Sequence, residues 1–159
     1  AASDVYKRQR LSSVLHALLH MAEQDKPMTS EALALCLGTH AVVVRRTMGF
    51  LRRAGLVASD RGHAGGWRID ADLSTITLRQ LHEALGEPIV FAMGNRHESP
   101  ECLVEQSVNA ALDKAFVEAE ALLLNRFSEI TLADLAADFA QRHASHQKHA
   151  NHGAVGHAA

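Results

Sequence analysis

TSEALALCLGTHAVVVRRTMGFLRRAG, residues 29–55, decides the fold. Thr29 or Ser30 opens a helix as its N-cap and Gly38 ends it, with Leu33, Ala34 and Leu37 as its apolar contacts. Thr39 then caps a second helix that Gly55 terminates. In that helix Val42, Arg45, Arg46, Gly49, Arg52 and Arg53 fall at helical spacing on one face, and Val44, Met48 and Leu51 take the opposite one. Two short helices separated by a Gly-Thr turn read as a helix-turn-helix.

The flanks extend this unit. Upstream, RLSSVLHALLHMAE (residues 10–23) sets Leu11, Val14, Leu15, Leu18, Met21 and Ala22 on one helical face, and Asp25, Lys26 and Pro27 stop it. Downstream, LVASD and WRID are strand-like pieces around RGHAGG. Gly62, Gly65 and Gly66 permit a tight turn between antiparallel strands. Trp67 and Ile69 alternate onto one face, with Trp67 as the anchor. The stretch is a wing whose tip is bare backbone plus Arg61 and His63, open to close approach by a phosphate.

Farther on, TITLRQLHEALG is a helix whose Thr77 and Gln80 have capping-box spacing, and Thr131 and Asp134 repeat the device in TLADLAADF. Between them, EPIVFAMGNRHESPE forms an apolar loop, and residues 101–127 one long helix. About 27 residues at 1.5 Å each span roughly 40 Å. Its apolar positions, from Leu103 and Val104 through Val108, Leu112 and Phe116 to Leu122 and Leu123, approach a coiled-coil seam. Such a stripe is expected to bury itself against a twin, which makes the chain a homodimer; the alternative is packing on its own first and last helices. The fold class is therefore mainly α with a small β-hairpin wing: a winged helix-turn-helix plus a long dimerisation helix. Residues 1–9 are a leader, non-native or disordered. Residues 10–86 form the winged helix-turn-helix, 87–100 an apolar linker or sensor loop, 101–143 the dimerisation helices, and 144–159 a disordered His-rich tail.

Charge separates along the chain. Residues 7–70 carry ten Lys/Arg against five Asp/Glu, whereas residues 71–142 carry five against twelve. A basic first half suits a polyanion. Within the second helix of the motif an apolar back and a four-arginine front suit a helix laid against a duplex. Thr39, His40, Val42 and Val43 form the start of the helix, the part that reaches base edges, with Arg45 and Arg46 behind them; Thr39 and His40 can hydrogen-bond to bases or phosphates, and Val43 is a partner for a thymine methyl. Gly49, in the middle of that front, costs about 1 kcal/mol of helix stability relative to Ala, and close approach of the duplex is a reason to keep it.

These stretches together resemble the winged helix-turn-helix of the Rrf2 transcription regulators, the IscR/NsrR type. The resemblance covers residues 10 to about 140, and its most specific part is VVVRR followed by RAGLV and then RGxxGGW. It implies a dimeric DNA-binding repressor or activator, with the recognition helix in the major groove and the wing in the adjacent minor groove. By that likeness Thr39, His40, Val43, Arg45 and Arg46 belong to the recognition helix, and Arg61, His63, Gly65 and Gly66 to the wing.

One departure stands out. Cluster-binding members of that family carry three cysteines in the loop before the long helix and at its start. Here residues 86–106 hold Cys102 alone, and the second cysteine is Cys36. No iron–sulfur cluster held by three local thiolates is expected, hence no cofactor. Cys102 is a candidate redox sensor: a helix N-terminus favours a thiolate, while Glu98, Glu101 and Glu105 oppose it. Cys36 reads as a small packing residue. His16 and His20, four apart, have metal-pair spacing without an evident third ligand, and His143, His146, His149 and His152 recur every third residue. No metal site is expected from either set.

With 47% hydrophobic and 21% charged residues the chain reads as an ordinary globular one. No apolar run spans a bilayer, and a cytoplasmic location is expected. No nucleophile–base pair, P-loop or dinucleotide fingerprint appears, so it is not expected to be an enzyme. The partners expected are double-stranded DNA, a second copy of the chain and an unidentified effector. The alternative is a winged-helix protein-interaction or thiol- or metal-sensing module that binds no operator.

Overall fold

The computed structural model describes residues 2–62, 65–86 and 102–153. Helix α1 (Ala2–Ala22) supplies Val14, Ala17, Leu18 and Met21 to the core. It starts eight residues before the stretch with a clean apolar period, so most of the expected leader, residues 2–9, is helical. Nothing between Ala2 and Gln9 breaks a helix, and a turn already nucleated at residue 10 propagates backward at little cost.

Helix α2 (Ser30–Leu37) begins at Thr29, whose Oγ1 accepts the Ala32 N–H at 3.1 Å. It ends at Gly38, left-handed at φ 60° and ψ 39°. The turn then places the Thr39 N–H on the Ala34 carbonyl at 3.0 Å, closing the end of α2. Helix α3 (Ala41–Arg53) has His40, not Thr39, as its N-cap, and the His40 side chain makes no capping bond. Val44, Met48 and Leu51 of α3 are buried against α1 and α2 residues Leu18, Leu33 and Ala34 in one cluster. This is the back face expected from the spacing.

Strands β1 (Val57–Asp60) and β2 (Gly66–Ile69) pair antiparallel, Val57 opposite Ile69 and Asp60 opposite Gly66. The hairpin is not free-standing. Trp67 forms an antiparallel bridge with Met28 through two backbone bonds of 2.8 and 2.9 Å, and its Nε1 donates to Ser30 Oγ at 3.0 Å. The wing is thus fastened to the segment that starts α2. This contact also explains a glycine: a Cβ at Gly66 would lie 2.6 Å from the Met28 carbonyl oxygen. At Gly65 a Cβ would run into the backbone of Asp60, Arg61 and Gly62. Glycine at these two positions lets the hairpin close and dock.

Helix α4 (Leu78–Ala84) carries the expected capping box, with Thr77 and Gln80 exchanging both bonds. Helices α5 (Leu103–Glu129) and α6 (Leu132–Gly153) follow. The two ITL stretches meet: Leu78 N–H donates to Ile130 O at 3.0 Å and Leu132 N–H to Ile76 O at 2.8 Å, with Thr77 opposite Thr131. Each stretch thus caps its own helix and pairs with the other, while Ile76 and Leu132 are fully buried. Helix α6 runs on to Gly153, ten residues past the end expected at 143; Ala, Gln and Lys sustain it and no Gly or Pro intervenes before Gly153. The first ten residues of the expected disordered tail are therefore helical.

Among the described residues, α5 buries none. One side rests on the chain through half-buried Phe116, Leu123, Leu124 and Phe127, the last edge-on to the buried His82 ring of α4. A second side, about a quarter-turn away, exposes Val104, Val108, Leu112 and Leu122, between 46% and 73% accessible. The apolar positions read from the sequence as one seam are split between these two faces.

Candidate nucleic-acid interface

The front of α3 is exposed along its length. Val42 and Val43 are 69% and 50% accessible, and Arg45, Arg46, Arg52 and Arg53 all face outward. Burial of Val44, Met48 and Leu51 fixes the helix about its own axis, so the arginine front cannot rotate inward without emptying the core. The uncapped N-terminus of α3 adds backbone N–H groups and the positive end of the helix dipole to the same side.

The arginines differ in their surroundings. Arg45 Nη2 contacts Glu31 Oε1 of α2 at 2.6 Å, both side chains more than half exposed. That hydrogen bond lowers the pKa of the Glu31 carboxyl from its ordinary value by favouring the carboxylate. Arg52 Nη1 donates to Ser59 Oγ at 3.2 Å, tying α3 to β1. Arg53 lies over the Phe50 ring at 4.7 Å, and Arg10 of α1 over the same ring at 5.2 Å. Arg46 and Arg61 have no ion pair among the described residues. They are the sequence-predicted cations least engaged by the protein itself.

Gly49 sits in the middle of this front with open space where a Cβ would be. Unlike Gly65 and Gly66, it has no neighbour in the chain that demands glycine. At the wing, Arg61 is exposed and Gly62 takes φ 104°, a backbone shape that favours glycine. His63 lies outside the described residues, as does the linker 87–100. Thr39, His40, Val43, Arg45 and Arg46 are thus brought together at the start of α3, and Arg61 and Gly62 mark the wing tip. Gly65 and Gly66 sit behind that tip in the hairpin stem.

Glu31 was not legible as part of this surface, because its partner is 14 residues away on a different helix. Cys36 corrects the sequence reading: it is exposed on α2 beside Leu35, itself 85% accessible, and packs in no core. The α2 stripe 33, 34 and 37 turns it outward. Cys102 is exposed as the N-cap of α5 and makes no side-chain capping bond. His16 and His20 meet at 2.9 Å between their Nε2 atoms. Among the described residues no group of three or more His, Cys, Asp or Glu side chains is placed to hold a metal ion. Among the same residues no helix is long and apolar enough to cross a membrane.

Comparison with known proteins gives concordant matches. The family model described as Rrf2, iron-dependent transcriptional regulator, matches residues 8–138. YwnA of Bacillus subtilis (strain 168), assigned as an HTH-type transcriptional regulator, is 26% identical over 126 residues, covering 79% of this chain and 93% of its own. The HTH-type transcriptional regulator IscR of Vibrio vulnificus is 32% identical over 82 residues, 52% of this chain and 48% of that protein. A crystal structure of a Lactobacillus plantarum protein assigned as a transcriptional regulator superposes with a TM-score of 0.70 at 22% identity, covering 91% of this chain and 97% of that one. At that identity it attests the fold.

Proposed function

We propose that this chain, which belongs to the Rrf2 family of transcriptional regulators, binds double-stranded DNA as a homodimer and acts as a repressor. In this reading α3 lies in the major groove and the wing tip in the adjacent minor groove. The observation that carries it is the α3 front: four exposed arginines, Arg45 and Arg46 near the uncapped helix start and Arg52 and Arg53 in its last turn, backed by three buried residues that lock its orientation. His40 and Val43 meet base edges, Thr39 and Arg46 the flanking phosphates, and Arg61 with His63 the minor-groove side. A dimer sets two such fronts on a pseudo-palindrome, and the exposed α5 stripe is the surface available for pairing. With two cysteines in 159 residues, no three-thiolate cluster is part of this reading.

The test is an anisotropy titration of the protein on its own upstream region at several salt concentrations. If phosphate contacts dominate, affinity falls steeply, by orders of magnitude, between about 50 and 200 mM salt. Binding indifferent to salt, or no binding to any duplex, overturns the proposal. A protein partner that survives nuclease treatment would favour the interaction-module alternative instead.

Two substitutions probe the front. Gly49→Ala is expected to stabilise the fold by up to about 1 kcal/mol, since Ala is the better helix former and its Cβ meets open space. The same methyl stands between helix and duplex, so DNA affinity should drop while the melting temperature rises. A variant both more stable and equally tight on DNA refutes close approach at Gly49. Glu31→Gln releases Arg45 and removes a negative charge near the phosphates. Because an exposed pair is weak, the gain in affinity is expected to be only a few-fold, and larger at low salt. Weaker binding would show that Glu31 orients Arg45 rather than competing for it, and unchanged binding that the pair does not compete with the duplex.

A further inference from the structure

Where the wing joins the helical body there is a cavity of about 360 Å³. One wall is the end of α1 and the turn after it, with Met21, Gln24, Asp25 and Lys26; the other is β2 and the segment beyond, with Trp67, Ile69 and Leu73. This volume is at the small end of the roughly 300–1,000 Å³ typical of small-molecule sites. We infer that this cavity binds a small monoanionic carboxylate with a flat apolar body, and that its occupancy adjusts the wing relative to α3.

The chemistry of the walls selects this class. Met21 is buried, and Trp67, Ile69 and Leu73 are half-buried, so one part of the wall is apolar, while Gln24, Asp25, Lys26 and Arg68 make the rest polar. The Trp67 Nε1 is already used by Ser30, leaving its ring to offer only an apolar face. Of the two cations on the rim, Arg68 is held by Asp60 and Asp70. Lys26 has no ion pair among the described residues and faces solvent. An anionic head therefore goes to Lys26. The adjacent Asp25 carboxylate on the same rim opposes negative charge, so a single charge is favoured over two.

The placement gives such a ligand leverage. Trp67 is bonded to Met28 through the backbone and to Ser30, the first residue of α2, through its side chain. A body wedged against the indole bears on β2 and on the start of α2 together. The wing would tilt against a helix-turn-helix held by its own core. This regulatory half rests on the DNA-binding reading above; the binding half does not.

Trp67 is the one tryptophan of the chain and reports directly. Its emission is followed on the full-length protein without DNA while benzoate or phenylacetate is added, with benzamide and phenylacetamide as neutral matches. The expected result is a saturable change with the acids, absent with the amides, and at least tenfold weaker in Lys26→Gln. A second variant, Ala71→Phe, narrows the cavity from its wall and should abolish the response while circular dichroism stays unchanged. No saturable change at millimolar acid, or amides as effective as acids, overturns the site. Repeating the titration with a labelled duplex isolates the second half: saturation at Trp67 with unaltered DNA affinity overturns the regulation but leaves the site, whereas absence of DNA binding without any ligand counts against the DNA reading alone.

Discussion

Val108→Asp combined with Leu112→Asp is expected to leave a folded monomer whose operator affinity is at least about a hundredfold below that of the parent chain. Both residues are exposed on α5, 52% and 46% accessible, one turn apart on the stripe that also carries Val104 and Leu122. Since α5 buries none of its described residues in the single chain, the substitutions cost the monomer little. The helix keeps its attachment through Phe127, about a quarter-turn away. In the proposed dimer the consequence is different. Two carboxylates per chain would enter an apolar contact and meet their symmetry mates, and an unpaired charge there costs several kcal/mol. Losing the second half-site removes the effective concentration that links the two fronts, worth roughly 10²- to 10⁴-fold. Sedimentation equilibrium gives the mass, circular dichroism the helix content and anisotropy the affinity. A variant that remains dimeric moves the interface elsewhere on the molecule. A parent chain that is itself monomeric at micromolar concentration removes the dimer from the proposal.

The contrast between what was and was not legible follows the range of the interactions. The α3 front and back were readable because helical period alone places Val44, Met48 and Leu51 opposite the arginines, and burial then agreed. The Thr29 and Thr77 caps and the Gly38 terminator are local hydrogen-bond devices, and they appear where the residue types set them. The wing was readable from glycine spacing, and chain membership in the Rrf2 family agrees with the resemblance carried by VVVRR, RAGLV and RGxxGGW. What stayed hidden depends on partners far along the chain. Gly66 is needed where Met28 passes beneath it, a contact that no local spacing announces. The matching ITL stretches looked like a shared cap, yet they pair with each other and join the starts of α4 and α6. Thr39 instead closes the turn after α2, its N–H on Ala34 O, and α3 starts one residue later with His40 as its N-cap. Residues 2–9 and 144–153 show no apolar period, and period is blind to a helix carried by propensity alone.

Replacing Arg45 and Arg46 together with Ala should weaken binding to every duplex by about a hundredfold or more and flatten the salt dependence. A dimer carries both side chains twice, and each phosphate left without its cation lowers the slope of log affinity against log salt by close to one. The effect should be nearly uniform across sequences, because phosphates carry no base identity. His40→Ala and Val43→Ala at the same helix start should behave in the opposite way. They should change total affinity less but relax discrimination at one base pair each, by about 1–3 kcal/mol. Single substitutions separate the two arginines further. Arg46 has no described ion-pair partner, so Arg46→Ala removes only its own interaction with the duplex. Arg45→Ala also leaves the Glu31 carboxylate without its counterion beside the DNA backbone. Arg45→Ala should therefore be the more damaging of the two, and adding Glu31→Gln should recover part of the loss. Equal single-mutant losses with no recovery would mean that the Glu31 ion pair dissolves before the duplex arrives. If the double variant retains both affinity and salt slope, α3 is not the element that meets the backbone, and the groove assignment fails with it.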